Sequence, residues 1–286
     1  VNSIVKKSSP DIVFHLAAQP LVIPSYSNPL LTFETNFQGT VNLLESLRNS
    51  ENLRVAVMIT TDKVYQNNEN FYPFRETDPL GGYDPYSASK AASEIAIASY
   101  RKSFFKEIGV SVATARAGNV IGGGDWSQHR LIPDLIRAWS SKSTLQIRNP
   151  TATRPWQHVL EPLAGYLCLA EFLWRVPSFS DSFNFGPYLH ETASVKEILD
   201  MANDILNNNK VQSSIVPTSM PESKSLSLDI SKAQTLLGFY PRWGINKTIS
   251  RTLEWYCSFY SGSEPISLCN NDIDFYESSN SHFQES

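Results

Sequence analysis

Tyr86-Ser87-Ala88-Ser89-Lys90 places a phenol and an ammonium four residues apart. On an α-helix that separation is one turn, so both side chains can meet at one reacting centre. Tyrosine has a reference pKa of about 10, and a neighbouring cation favours the phenolate, which can take a proton from an alcohol as hydride leaves its carbon. The bare spacing also occurs on ordinary surface helices, so it needs partners. Thr60-Thr61-Asp62-Lys63 supplies them: hydroxyls, a carboxyl and an amine in succession. A solvent-facing Asp-Lys pair is the plain alternative for Asp62 and Lys63.

These groups must be positioned by elements. Residues 54–60 (RVAVMIT) form an apolar run of strand length, so the polar cluster falls where a parallel strand ends and where ligands bind in open α/β sheets. Residues 85–106 read as the following helix, with small and apolar Ala91, Ala92, Ile95, Ala96 and Ile97 suited to close helix contact. Residues 11–16 (DIVFHL) read as a buried parallel strand ending in Ala17 and Ala18, small enough for a flat ring to approach the backbone. A helix over 34–48 carries Phe37, Val41, Leu44 and Leu47 on its packing side. Residues 110–115 (VSVATA) are a further strand, followed by a glycine-rich loop at 116–126 that either cradles phosphates or is a plain turn. Arg154 offers a planar fork suited to pyrophosphate, or is a structural arginine. Strand-length runs at 183–186 and helical patterns at 194–206 and 246–260 build a smaller lobe, and the polar stretch from 261 predicts a disordered tail.

Composition narrows the function classes. With 24 basic and 28 acidic residues the net charge is -4, and no Lys/Arg stripe interleaves with aromatics, which argues against nucleic-acid binding. Cys168, Cys257 and Cys269 are far apart and form no C-x-x-C pair, which suits a reduced, cytoplasmic protein. No apolar run is long enough to span a membrane, and the five histidines show no metal-binding spacing.

Thr61-Asp62-Lys63, the lead-in at 74–85 (FRETDPLGGYDP), the Tyr86/Lys90 pair and the block at 154–162 (RPWQHVLEP) resemble the extended short-chain dehydrogenase/reductases, the NAD-dependent epimerase/dehydratase family. The likeness covers about 10–260 and is strongest to nucleotide-sugar 4,6-dehydratases, with CDP the nucleotide it implies. It implies an α/β fold with a Rossmann-like doubly wound parallel sheet and a smaller C-terminal substrate lobe. The expected division is 1–125 as the NAD-binding region with the catalytic residues, 126–260 as the remainder with the substrate lobe, and 261–286 as the tail. The resemblance implies NAD as cofactor, at Ala17, Ala18, Gln19, Thr60, Tyr86 and Lys90. It implies catalysis by Thr61, Asp62, Lys63, Tyr86 and Lys90, and substrate binding by Asn119, Arg130 and Arg154, with Arg116 on the same side. A homodimer through the helices at 34–48 and 85–106 is implied as well. The chain begins at Val1, and the family's glycine fingerprint is expected upstream. Residues 1–286 alone are therefore expected to hold NAD poorly and to self-associate along the uncovered sheet edge. An epimerase or reductase of the same fold, and an inactive remnant, are the alternatives.

Overall fold

The computed structural model describes residues 1–69, 72–177, 179–206, 210–217 and 225–279. Helix α1 (Asn2–Ser8) leads into strand β1 (Ile12–His15), then short helices α2 (Val22–Ser27) and α3 (Pro29–Phe33). A π-turn at Glu34–Gln38 joins α3 to α4 (Gly39–Leu47), and strand β2 (Val55–Ile59) and helix α5 (Pro85–Tyr100) follow. Next come β3 (Ser111–Ala117), β4 (Val120–Ile121), α6 (Leu131–Ser141), β5 (Leu145–Ile147), β6 (Thr153–Arg154), β7 (Gln157–His158) and α7 (Leu160–Arg175). The chain continues through β8 (Ser182–Phe185), β9 (Ala193–Ser194), α8 (Val195–Leu206), β10 (Ser213–Ile215), α9 (Ser231–Leu237), α10 (Ile245–Tyr260) and α11 (Pro265–Ser278).

The main sheet runs β1-β2-β3-β8, all parallel, with helices on both faces. Strand alternation explains why β2 is apolar throughout. Val55 and Val57 pack with Leu169 and Leu173 of α7 and Ala233 of α9, while Ala56 and Met58 pack with Leu44 and Leu47 of α4 and Ile97 of α5. The smaller lobe has its own core, where Leu135 of α6, Ile198 of α8 and Leu253 of α10 meet.

Two expectations need correction. On the helix over 34–48, Phe37 and Val41 are only partly buried, whereas Asn36 and Thr40 are buried with Leu44 and Leu47. The wider π-turn shifts the buried face, and polar contacts replace apolar ones there. The stretch from 261 is no loose tail as far as 278: α11 is anchored by polar side chains rather than an apolar stripe. Asp272 is paired with Arg251 of α10, and Tyr276 Oη donates to Glu161 Oε2 at 2.9 Å. Residues 280–286 of that expected tail lie outside the described residues.

Candidate active site

Helix α5 starts sharply because Asp84 caps it, accepting from the Ser87 backbone N–H at 2.9 Å and from Ser87 Oγ at 2.6 Å, while Pro85 supplies the helical φ at the first position. Tyr86 therefore leaves the first turn, its backbone N–H donating to Ser25 Oγ of α2 at 3.2 Å. One turn on, the Lys90 ammonium donates to the Ile59 carbonyl at the end of β2, at 2.9 Å. Directly after β2, Thr61 caps a single 3-10 turn, and its hydroxyl donates to Asp62 Oδ1 at 3.0 Å. The Tyr86 phenol shares this cavity wall with Thr61, and Thr61 acts to lower its pKa against the larger effect of burial.

Thr60, Thr61, Asp62, Lys63 and Tyr86 line one cavity of about 870 Å³. Asn119, Arg130, Arg148 and Arg154 line it from the lobe side. Arg130 is paired with Asp125 at 3.0 Å, and Arg154 Nη1 donates to the Thr153 carbonyl at 2.9 Å. Asn119 adopts a left-handed backbone (φ 48°), and its Nδ2 is buried with no hydrogen-bond partner among the described residues. Guanidinium forks such as these three are the side chains suited to bidentate contact with a phosphate or diphosphate. Arg148 was missed at sequence level because the LQIRNP segment carries no motif.

Electrostatics divide the catalytic candidates. Asp62 is fully buried, and burial raises its carboxyl above the usual range despite Lys63, Thr61 and Arg154 acting the other way. Its Oδ2 has no hydrogen-bond partner among the described residues. That oxygen sits against Gly118, where a Cβ would lie 1.8 Å away, so only glycine leaves the carboxyl its place. Burial pushes Tyr86 up to about 12 and Lys90 down to about 8. The expected lowering of Tyr86 by Lys90 is not seen; the ammonium is spent on the Ile59 carbonyl, and desolvation of the phenol dominates.

At the end of β1, Ala17 is exposed and Ala18 half-buried, carrying only methyl groups. Gln19 follows with its side chain committed within the chain, donating to the Leu21 carbonyl and Thr32 and accepting from the Leu21 N–H. Asn36 of the π-turn holds this loop, with Oδ1 accepting from the Gln19 N–H at 2.8 Å and Nδ2 donating to Ser89 Oγ of α5 at 2.9 Å. Thr60 also has its hydroxyl committed, to Glu94 at 2.5 Å.

One sequence reading changes. Arg116 is not on the substrate side: it is 3% exposed and lies beneath the site, donating to both Glu94 oxygens at 2.8 and 2.9 Å. In the glycine-rich loop, packing accounts for two of the glycines, since a Cβ on Gly123 would fall 2.1 Å from Trp255 and one on Gly122 2.8 Å from Val159.

A doubly wound sheet with a Thr-Asp-Lys strand end facing a Tyr and Lys on the next helix is the arrangement of the extended short-chain dehydrogenase/reductases, and fold and site together place the chain in that class. Within it, residues 1–252 match the family model described as GDP-mannose 4,6 dehydratase, and the chain belongs to that family. It is 42% identical over 283 residues to a CDP-glucose 4,6-dehydratase of Salmonella typhimurium, covering 97% of this chain and 79% of that protein. Among solved structures, it is similar to a UDP-glucuronic acid 4-epimerase from Bacillus cereus, with TM-score 0.80, 23% identity and coverage of 91% of this chain and 78% of that one. A dTDP-glucose 4,6-dehydratase double mutant from Streptomyces venezuelae aligns with TM-score 0.79 and 23% identity, covering 90% of this chain and 76% of that one. Among the described residues, no helix is long and apolar enough to cross a membrane, and no group of His, Cys, Asp or Glu could hold a metal ion.

Proposed function

We propose that the protein is a nucleotide-sugar 4,6-dehydratase that converts CDP-glucose to CDP-4-keto-6-deoxyglucose. The observation that carries this reading is Asp62: a buried carboxyl with raised proton affinity faces the same cavity as Tyr86. An epimerase or reductase needs the tyrosine but no acid for elimination. The identity to a CDP-glucose 4,6-dehydratase supports CDP as the nucleotide.

In this reading Tyr86 takes the proton of the C4 hydroxyl, with Thr61 hydrogen-bonded to the same oxygen and Lys90 holding positive charge nearby. The residues fit NAD on its nicotinamide side, where the methyl-bearing Ala17 and Ala18 leave a flat ring room beside Gln19, Thr60, Tyr86 and Lys90. Bound there, NAD would supply the hydride acceptor for C4 and the hydride donor for C6, and its positive charge would favour the phenolate. After oxidation, Lys63 assists loss of the C5 proton as base or by stabilising the enolate, and Asp62 protonates the leaving C6 hydroxyl, which departs as water. With a proton restored at C5, the product would be the 4-keto-6-deoxy sugar, with no net redox change. Arg154, Arg130 and Asn119 hold the substrate's diphosphate side. Incubation with CDP-glucose and NAD should give a product lighter by one water; a 4-epimer of unchanged mass would overturn the reading.

Gly118 tests the placement of the acid. Gly118→Ala is expected to slow elimination by about 10²-fold, because the added methyl must push the Asp62 carboxyl off its position by about an ångström. Single-turnover measurement of water loss checks it.

A homodimer through α4 and α5 is part of this proposal. Ile95 on α5 is 63% exposed beside half-buried Ala92 and Ala96, which is a surface where a second helix can approach closely. A reduced, cytoplasmic setting suits its three free cysteines.

A further inference from the structure

Helix α5 presents Tyr86, Lys90 and Glu94 at successive turns, so a third ionisable group follows the two already assigned. Each meets the end of β2. The Tyr86 phenol meets Thr61, the Lys90 ammonium meets the Ile59 carbonyl, and Glu94 Oε1 accepts from Thr60 Oγ1 at 2.5 Å. Glu94 is 3% exposed and also accepts from Thr114 at 2.9 Å and from Arg116 through both carboxylate oxygens. Arg116 in turn donates to Tyr65 Oη at 2.9 Å, to the Glu76 carbonyl at 3.1 Å and to Ser182 Oγ at 3.1 Å. One buried ion pair thus joins α5, the ends of β2, β3 and β8, and the segment after the Thr-Asp-Lys turn.

We propose that Glu94, held by Arg116, is a positioning residue for the reaction: its carboxylate keeps Lys90 cationic and locks Thr60, so that Lys90 and Thr61 keep their places beside Tyr86. A buried carboxylate fully hydrogen-bonded to an arginine is not needed merely to fill space, since an apolar group in its place is often as stable. What it adds here is negative charge one turn from a buried ammonium. Glu94 is held below the usual carboxylate range by its hydrogen bonds and the Arg116 charge, which outweigh its burial, and it opposes the desolvation that lowers Lys90 to about 8. The other groups around Lys90 do not replace it. His15 on β1 is kept neutral down to about 4 by burial and by Lys90, Tyr86 is a neutral phenol, Arg116 is of like charge, and Asp62 and Lys63 lie on the turn beyond Thr61.

The inference rests on the proposed roles of Tyr86 and Lys90, so its test separates the two. In the full-length protein, the Lys90 Cε resonance is followed against pH by lysine-selective NMR, and the single-turnover rate of C4 oxidation by absorbance. Glu94→Gln is expected to move the Lys90 midpoint down by about one unit, and the break in the rate profile with it, lowering the oxidation rate about tenfold above the break. Glu94→Gln leaves Arg116 buried without its counter-charge and can fail to fold, so Glu94→Gln/Arg116→Met is measured in parallel and is expected to move the Lys90 midpoint down by less than Glu94→Gln alone, because it also removes the like charge of Arg116. Lys90→Met is the reference. If it oxidises C4 as fast as the parent, the reading of the site fails. If it is impaired while the folded Glu94 variants keep the parent's Lys90 midpoint and break, the inference about Glu94 is overturned.

Discussion

Tyr86→Phe is expected to lower the single-turnover rate of C4 oxidation by about 10²-fold or more, because a ring without its hydroxyl cannot accept the alcohol proton. Little else should change. Tyr86 is held through its backbone N–H by Ser25, and its helical turn by the Asp84 cap on Ser87; phenylalanine keeps both contacts and the ring packing. Substrate affinity, which the proposed function assigns to the arginine wall, should stay within about threefold of the parent's. The pH dependence gives a second signature. Burial places the phenol near 12, so in the parent the phenolate fraction, and with it the oxidation rate, grows as pH rises through neutrality. The variant should lose that rise. An absorbance trace for hydride transfer at the parent's rate in Tyr86→Phe would remove Tyr86 from the role of base.

Much of this site was legible in the sequence because its parts lie at strand and helix ends that periodicity marks. The apolar run before Thr60 and the Tyr-x-x-x-Lys spacing fixed two elements and the direction of their side chains, and the structure brings Thr61, Asp62, Lys63 and Tyr86 to one cavity. Glu94 was within reach of the same logic, since continuing the helical face one turn past Lys90 lands on it. What could not be read depended on distant partners. Arg116 ends a strand, and only the position of Glu94 decides that it points beneath the site rather than into the cavity. Gly118 and Gly123 look alike in a glycine-rich loop, yet one makes room for the Asp62 carboxyl and the other for the Trp255 ring. Helix α11 escaped notice because Asp272 and Tyr276, polar residues paired with Arg251 and Glu161, supply anchors that an apolar stripe would normally advertise.

Asp62→Asn is expected to separate oxidation from elimination. The amide keeps the shape of the carboxyl and can still accept from Thr61, but it cannot deliver a proton to the departing C6 hydroxyl, so water loss should slow by about 10²-fold or more while oxidation stays within about tenfold of the parent. The same substitution should stabilise the fold at neutral pH, and the sign follows from linkage. Burial raises the Asp62 pKa in the folded protein above its unfolded value near 3.8, so the folded state holds the proton more tightly. That stability is fully present below the unfolded pKa and is lost as pH rises through the folded one, where a buried charge must form. Asparagine has no such charge to form. Urea unfolding should therefore show the Asn variant gaining on the parent as pH rises above the unfolded value near 3.8, and losing that advantage at lower pH. A protein that lost elimination through a damaged fold would show the opposite, a lower midpoint at every pH. Equal slowing of oxidation and elimination in single-turnover traces would instead mean that Asp62 holds the site's geometry, through Thr61, rather than acting as its acid.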